Sequence, residues 1–335
     1  MATLDTVVVS FRNGDDLLPL LEAVRAQSEP DGELIVLDNA SGDGTAELVA
    51  GRAPWARLIR SESNLGFAAG ANRAAAAGSG ELILFLNPDV VPDPGAIALL
   101  RAAADRWDLC QGLVTYPGGE PINTAGGEIH FSGIAWAGRC DRPVAEAGPE
   151  RAIGFASGAC MLISRRLWEE LGGFEESFFM YCEDVDLSLR AQLAGASVGV
   201  VPGAVFHHEY SFEKGAGKWR LLERNRWLTI LRTYPTRLLL AALPFLLALE
   251  IVLVAVALRG GWLDAKLRSQ LDVLRMAPEA LRQRRSIRRS AGVDFTAHLH
   301  PELDSPYFGA IGRSGIVQSA VRFSWRLIRF LGRTR

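Results

Sequence analysis

The sequence predicts an α/β protein with a Rossmann-like, mostly parallel central sheet covered by helices on both faces, followed by a C-terminal helical, membrane-associated region. Over the first 90 residues, short apolar segments rich in β-branched residues alternate with segments of helical periodicity. Strands that are apolar throughout are typical of parallel sheets buried between helices. After residue 232 the chain becomes strongly apolar and then basic. We therefore predict two domains, over residues 1–232 and 233–335.

The elements of the first domain follow from these patterns in chain order. We expect strands over residues 6–11, 33–39, 56–61 and 81–89, and helices over residues 15–27, 42–52 and 66–78. Residues 110–155 are rich in glycine and predict loops or a short antiparallel region over the sheet. A strand and then a helix are expected over residues 160–174, and a pair of strands over residues 197–212.

The C-terminal region opens with an apolar segment, residues 238–258, which only Pro244 and Glu250 interrupt. The segment is long enough to cross a bilayer core as a helix. Basic residues flank both of its ends, so a single span would leave one basic group on the unfavoured side of the membrane. A re-entrant hairpin bent at Pro244, or a helix in the membrane plane, fits these charges better. A plain span and a buried helix of a soluble core are the alternatives.

Residues 262–289 and 315–335 have the pattern of basic amphipathic helices, which is typical of interfacial segments. For the second of these, ordinary packing on the domain is the alternative. Residues 1–258 carry 21 Lys and Arg against 32 Asp and Glu, whereas residues 259–335 carry 15 against 6. A basic tail suits nucleic acid or an anionic membrane, and the apolar segment before it favours the membrane. We expect a membrane surface as a partner and no nucleic acid.

Polar side chains gather where the predicted strands end. They are Asn13 after the first strand, Asp38, Asn39, Ser41 and Asp43 after the second, Asn64 after the third, and Asn87 and Asp89 after the fourth. Each one alone could make a turn or cap a helix. Together they predict a ligand site, because ligands of open α/β sheets bind at the carboxyl ends of the strands. The sequence lacks the phosphate loop G-x-x-x-x-G-K-[ST] and the full dinucleotide fingerprint.

A carboxylate at a strand end, Asp89, is the candidate metal ligand, since oxygen ligands suit Mg²⁺ or Mn²⁺. Such a metal would neutralise a diphosphate leaving group. His207 and His208 end a later predicted strand. Because neighbours on a strand point to opposite faces, we expect only one of them to reach the site. A structural hydrogen bond is the alternative role for that histidine.

Three carboxylates stand together in "FFMYCEDVDLSLR", residues 178–190. Asp186 and Arg190 are four residues apart and are expected to pair on a helix. Glu183 and Asp184 lie at the start of that helix, where they could merely cap it. The same placement would keep a carboxylate ionised, as a general base requires.

These segments, taken in order, resemble family 2 glycosyltransferases of the GT-A fold, especially the rhamnosyltransferase-like bacterial members. The matching segments are "VVVSFRN", "IVLDNASGDGT", "SNLGFAAGANRA", "LFLNPDV", "GACMLISRRLWEELGGFEESFFMYCEDVDLSLR" and "VFHHEYSF". They cover residues 6 to about 212 in the order and spacing of the family. The set is specific, although each segment alone is weak.

The resemblance implies a role for each polar cluster. Asp38 would contact the base of a nucleoside diphosphate sugar, and Ser10 and Asn13 would line the nucleotide. We assign Asn39, Asp43 and Asn64 to nucleotide binding as well, and Asn87 to the donor and metal site. "NPD" stands where the wider fold has D-x-D, so Asp89 alone keeps the metal role. Asp184 resembles the catalytic base, Glu183 would hold acceptor hydroxyls, and His208 resembles the later metal- or diphosphate-binding histidine, with His207 as the alternative.

The implied enzyme is an inverting glycosyltransferase, moving a hexosyl or rhamnosyl group from a dTDP- or UDP-linked donor. Its acceptor would be a hydroxyl of a glycan, expected to be lipid-linked, in cell-surface polysaccharide synthesis. We expect a Mg²⁺ or Mn²⁺ cofactor and a location on the cytoplasmic face of the cell membrane. The alternatives are a nucleotidyltransferase on a similar fold and a non-catalytic, membrane-attached protein that binds nucleotide or sugar.

Overall fold

The computed structural model describes residues 2–27, 32–209, 215–303 and 314–332. By their contacts the residues fall into two compact units. The first unit comprises Met1–Gly127, Ala137–Ala191 and Ala196–Tyr210, and the second comprises Glu128–Trp136, Gln192–Gly195 and Ser211–Arg335. The domain boundary at residues 232–233 stays a prediction, and by contacts the helix before it groups with the C-terminal helices.

The first unit is built on a mixed sheet. Its strands are β1 (Leu4–Ser10), β2 (Leu34–Asp38), β3 (Arg57–Arg60), β4 (Leu82–Leu86), β5 (Val90–Pro92), β6 (Leu109–Thr115), β7 (Ile122–Thr124), β10 (Arg151–Ala152), β11 (Cys160–Ser164) and β12 (Val198–His208). The strands β8 (Gly127–Ile129) and β9 (Ala135–Ala137), most of whose residues are assigned to the second unit, form a separate hairpin. In the described part of the sheet the order is β10-β12-β6-β11-β4-β1-β2-β3. Strands β1 to β4 run parallel, and β11 runs antiparallel between β4 and β6.

Helices cover both faces of the sheet, as predicted. They are α1 (Leu18–Gln27), α2 (Thr45–Arg52), α3 (Gly66–Ala75), α4 (Ala96–Ala102), α5 (Arg165–Leu171) and α6 (Glu183–Leu193). One core packs Val8 and Val36 of the sheet with α1, α2 and α4, and the other packs Val7 and Ile35 with α3, α5 and α6. Neighbouring residues of one strand thus enter opposite cores, because side chains alternate along a strand.

Two parts of the sheet differ from the sequence-based prediction. The region 110–155 is not all loop, since β6 is a fully buried strand inside the sheet. Its glycine, Gly112, is required because a Cβ there would lie 2.5 Å from the Ala204 carbonyl oxygen of β12. The predicted strand pair at 197–212 is instead one strand, β12, whose register shifts between Val201 and Val205. Residues 210–212 of that prediction lie outside the described residues.

The second unit is helical. Its helices are α7 (Gly215–Thr233), α8 (Thr236–Arg259), α9 (Leu263–Ser286) and α10 (Gly315–Leu331). The apolar segment forms one continuous helix through Pro244, so the re-entrant hairpin, one of the two favoured alternatives, is wrong, whereas the in-plane helix and the plain span stay predictions. Residues 333–335 of the predicted last helix lie outside the described residues.

Helix α8 is long and apolar enough to cross a membrane, judged by length and composition only. Of its most apolar stretch 11% is buried, which argues against a core helix of a soluble protein. Large apolar side chains are exposed on all three helices: Leu240, Leu247, Ile251 and Leu258 on α8, Leu271 and Leu274 on α9, and Ile316, Phe323 and Phe330 on α10. An apolar surface of this extent marks an interaction face.

The single acid of α8, Glu250, is held by neighbouring helices. Its carboxylate accepts hydrogen bonds from Arg226 and Trp227 of α7 and from Gln270 of α9, and it pairs with Lys266 at 2.7 Å. Arg226 and Lys266 also both pair with Glu223, which makes a buried set of two acids and two bases. Burial is tolerated because the charges balance and each acid has several donors.

Candidate active site

The first strand-end loop is tied to the second. Ser10 Oγ donates to Asn13 Oδ1 over 3.1 Å, and the same oxygen accepts from the Phe11 backbone N–H. The Arg12 N–H donates to Ser41 Oγ over 3.0 Å. Arg12 has a φ of 59°, a conformation that costs energy for a side chain with a Cβ. These bonds fix the path of the loop after β1.

Asn39 joins the second loop to the third. Its amide nitrogen donates to Asn64 Oδ1 and to the Gly66 carbonyl, and its oxygen accepts from the Leu65 N–H at 2.8 Å. Gly66 begins α3 with a φ of 78°, and a Cβ there would lie 2.4 Å from the Phe179 carbonyl oxygen. Asn39 and Asn64 therefore position backbone, and only Gly fits where α3 meets the loop before α6.

Asp38, the last residue of β2, differs from its neighbours. It is 6% exposed, and its Oδ1 has no hydrogen-bond partner among the described residues. A buried carboxylate oxygen without a donor is costly unless a ligand supplies one. Asp43, in contrast, is exposed and accepts from the N–H and Oγ1 of Thr45 at the start of α2. These bonds lower the pKa of Asp43.

The two histidines at the end of β12 contact different residues on opposite faces of the strand. His208 is 3% exposed, and its Nε2 lies 3.1 Å from Asp89 Oδ1. His207 turns to the other face, where Thr115 Oγ1 lies 2.8 Å from its Nδ1 and Asp93 Oδ1 lies 2.8 Å from its Nε2. His208 is thus the histidine that meets Asp89, and His207 has the structural role.

Asn87 and Asp89 belong to a turn that closes the end of β4. The Val90 N–H donates to the Asn87 carbonyl, and the Asn87 N–H donates to the Ala159 carbonyl over 3.1 Å. The second bond brings the turn against the residues just before β11.

The loop before β11 carries a contact that sequence reasoning missed. The Gly158 N–H donates to Asp184 Oδ2 over 3.1 Å. The loop is fixed by the buried side chain of Gln111, which accepts from the Ser157 N–H at 2.8 Å. A Cβ on Gly158 would lie 3.2 Å from the Phe67 ring, so α3 also closes on this point. Gly158, in the sequence "SGAC", was the only hint of this contact in the sequence, and a glycine alone does not show that its N–H donates to a carboxylate.

The approach to the acidic pair is strained. Phe179, Tyr181 and Cys182 have φ values of 64°, 69° and 64°, which are uncommon for residues with a Cβ. Strain of this kind persists only where surrounding structure imposes it, and it is enriched at active sites. It delivers Glu183 and Asp184 to the first turn of α6.

The two acids have unequal surroundings. Burial raises the pKa of Glu183 well above its usual value, and the neighbouring charge of Asp184 raises it further. Burial also raises the pKa of Asp184, but N–H donors from Gly158 and Val185 oppose that shift. The positive end of the helix dipole at the start of α6 would by itself lower the pKa of both acids. Asp184 has donors, whereas Glu183 has a buried oxygen with no hydrogen-bond partner among the described residues, so the pair favours an ionised Asp184 beside a protonated Glu183.

Asp186 has the predicted structural role. Its Oδ2 accepts from Arg190 Nε at 2.7 Å, and both side chains are buried. Arg190 also donates to the carbonyls of Leu171 and Gly173, which anchors α6 to the end of α5.

Residues 5–172 match the sequence profile of Glycosyl transferase family 2, and residues 144–229 match that of Glycosyltransferase like family 2. The chain belongs to glycosyltransferase family 2. As a family 2 glycosyltransferase it resembles a Mycobacterium tuberculosis N-acetylglucosaminyl-diphospho-decaprenol L-rhamnosyltransferase, with 32% identity over 62% of this chain and 76% of the relative. It is 29% identical to the O-antigen biosynthesis protein RfbC of Myxococcus xanthus over 67% of this chain but 18% of that protein.

The GT-A fold is confirmed by solved structures. GalNAc-T7 with UDP, GalNAc and Mn²⁺ superposes with a TM-score of 0.61 at 15% identity, over 74% of this chain and 51% of that chain. This chain therefore spans about half the length of GalNAc-T7. The likeness concerns the fold, and the divalent metal is a property of that neighbour.

Proposed function

We propose that this glycosyltransferase is inverting and transfers a sugar from a nucleoside diphosphate sugar to a hydroxyl of a lipid-linked glycan in cell-surface polysaccharide synthesis. The observation that carries the proposal is the Glu183–Asp184 pair, delivered by a strained turn and bonded to the loop that contacts the ends of β4 and β11. A base so placed faces the edge of the sheet where donors bind.

Asp184 takes the acceptor proton in this proposal. Its two N–H donors stabilise the carboxylate, and partial burial raises its proton affinity, which is the combination a general base near neutral pH needs. Glu183, protonated and buried, holds an acceptor hydroxyl through its unpartnered oxygen. A single displacement at the anomeric carbon inverts its configuration.

Asp38 recognises the donor. Its buried, unpartnered oxygen is placed to accept a hydrogen bond from an N–H group of a nucleotide base. Ser10, Asn13, Asn39 and Asn64 shape the surrounding loops through the bonds between them. Asp43 is bonded to Thr45, so its role in nucleotide binding is indirect.

Asp89 and His208 fit a divalent metal. A carboxylate oxygen and an imidazole nitrogen 3.1 Å apart can share one ion, with Asn87 at the start of the same turn. Mg²⁺ and Mn²⁺ sites of this kind use few protein ligands and complete themselves with phosphate oxygens and water. A metal held by Asp89 and His208 would supply positive charge for the leaving diphosphate.

The acceptor and location follow from the second unit and from the relatives. The exposed apolar faces of α8 to α10 support attachment to a membrane surface, and the mycobacterial relative is named for a diphospho-decaprenol substrate. We place the site on the cytoplasmic face, where dTDP- and UDP-sugars are made. A rhamnosyl or hexosyl donor is consistent with that relative.

A donor screen tests the proposal. Purified full-length chain is incubated with UDP- and dTDP-sugars and Mn²⁺, and release of the nucleoside diphosphate is measured with and without a lipid-linked acceptor. We expect Asp184→Asn to lose transfer at least about 100-fold while donor affinity stays unchanged. Asp105→Asn, which changes an exposed acid in the short 3-10 helix after α4, is the matched control. Equal turnover by wild type and Asp184→Asn would overturn the role of the base.

A further inference from the structure

A cavity of about 630 Å³ in the second unit is walled by arginines. It lies where α7 gives way to α8 and where α9 ends. Its walls include Pro235, Arg237, Leu281, Arg284, Arg285 and Arg289. No carboxylate of the described residues lines it.

Two of the arginines, Arg284 and Arg289, hydrogen-bond to the backbone of α7 and remain positively charged. Arg284 Nη1 donates to the Leu231 carbonyl over 2.9 Å, and Arg289 Nη1 donates to the Thr233 carbonyl over 3.0 Å. These bonds cap the C-terminus of α7, where positive charge is favoured. Partial burial lowers the pKa of both, and the charge of Arg284 lowers that of Arg289 further. The fold therefore holds two positively charged guanidinium groups close together, and each has further N–H groups besides the one bonded to a carbonyl of α7.

The other two arginines cap nothing. Arg237 and Arg285 are exposed, and the side chain of neither has a hydrogen bond or ion pair within the described residues. Four guanidinium groups around one cavity form a site for an anion with several oxygens, because each can give two parallel N–H bonds. A phosphate group has that geometry.

Exposed leucines on α8 and α9, the two helices that supply arginines to the cavity, indicate where the phosphate comes from, and one of them, Leu281, lies in its wall. Leu240 follows Arg237 on α8 and is 64% exposed, and Leu274 and Leu281 on α9 are 72% and 44% exposed. Apolar side chains next to a cationic pocket match a bilayer interface, with phosphates at one level and acyl chains below. We propose that this cavity binds the phosphate group of an anionic membrane lipid. The inference rests on the membrane attachment proposed above.

Vesicle co-sedimentation of the full-length chain tests it, without donor or acceptor. Vesicles of phosphatidylcholine alone are compared with vesicles that also contain phosphatidylglycerol. We expect Arg237→Gln/Arg285→Gln to weaken partitioning into the anionic vesicles about 30-fold, since each arginine near such a surface contributes about 1 kcal/mol. Neither residue caps a helix, so folding should be unaffected.

The matched control is Arg268→Gln/Arg275→Gln, which removes two exposed arginines of α9 that pair with Asp264 and Asp272. We expect a loss of less than about threefold, because these charges are already compensated. Equal losses in the two double variants would overturn a specific site. Titration with inorganic phosphate in detergent should give only weak binding, because free phosphate lacks the acyl chains that contact the exposed leucines. Saturable phosphate binding without a vesicle effect would overturn the lipid as the occupant.

The outcomes separate this inference from the proposed function. Binding to vesicles that depends on Arg237 and Arg285 supports the pocket even if no sugar is transferred. Binding that ignores these arginines overturns the pocket alone. A chain that binds neither vesicle overturns both the pocket and the proposed membrane attachment.

Discussion

The backbone N–H of Gly158 donates to a carboxylate oxygen of Asp184 over 3.1 Å, and a second N–H, from Val185, reaches the other oxygen at 2.8 Å. Glu183, the preceding residue, has a buried oxygen that accepts from no donor in the described part of the chain. Burial raises the pKa of both acids, but only Asp184 has N–H donors that oppose the rise, and this difference decides which of them keeps a proton.

Glu183→Gln should stabilise the chain at neutral pH. The folded state raises the pKa of Glu183, so it holds a proton over a pH range in which the unfolded chain has lost it. The free energy of unfolding therefore falls as pH rises through that range. The variant lacks this loss, so its advantage over wild type should grow from pH 5 to pH 8 in urea melts. Glu169→Gln, an exposed acid, should track wild type. A constant difference at all pH values would contradict the shift.

Metal removal should abolish transfer, and Asp89→Asn should raise the half-saturating Mn²⁺ concentration about tenfold or more. The change removes an anionic ligand oxygen 3.1 Å from His208. Mn²⁺ affinity is measured by calorimetry in the presence of UDP, as well as by activity. His207→Gln serves as the control, because His207 bonds Thr115 and Asp93 instead. Transfer that survives EDTA would remove the metal role.

Asp186→Asn should lower the free energy of unfolding by about 3–5 kcal/mol, because it leaves the buried Arg190 guanidinium without its carboxylate. Chemical denaturation measures the change. Glu170→Gln, which breaks an exposed pair with Arg166, should cost less than about 1 kcal/mol. The folded fraction of Asp186→Asn should retain normal donor affinity, and a selective loss of turnover would indicate a catalytic role instead.

Glu250→Leu discriminates between a lone membrane span and a helix packed on its neighbours. In a helix that spans the membrane alone, leucine would be more favourable than glutamate. In the packed helix it removes the carboxylate that pairs with both Lys266 and Arg226. We expect a lower melting temperature in mild detergent, with a loss of about 3–5 kcal/mol. Ala248→Leu, an exposed position two residues away, adds apolar surface without touching the charges. Greater stability of Glu250→Leu than of Ala248→Leu would favour a lone span.

Local spacing determined part of this protein from the sequence alone. The alternation of apolar strands and helices predicted a sheet covered by helices on both faces. The four-residue interval predicted the Asp186–Arg190 pair, whose atoms lie 2.7 Å apart in the structure. Helix and strand geometry fix such neighbours whatever surrounds them. The strand-end polar clusters and the family followed from the same local patterns.

Tertiary structure decided the rest, because those features join residues far apart in the chain. The N–H of Gly158 donates to Asp184, 26 positions along the chain. His208 contacts Asp89, whereas its neighbour His207 contacts Asp93. The burial that leaves Asp38 and Glu183 with unpartnered oxygens, and the acids and bases gathered around Glu250, depend on which helices pack together. A sequence shows that a carboxylate is present, whereas only the fold determines its solvent, its donors and its neighbouring charges.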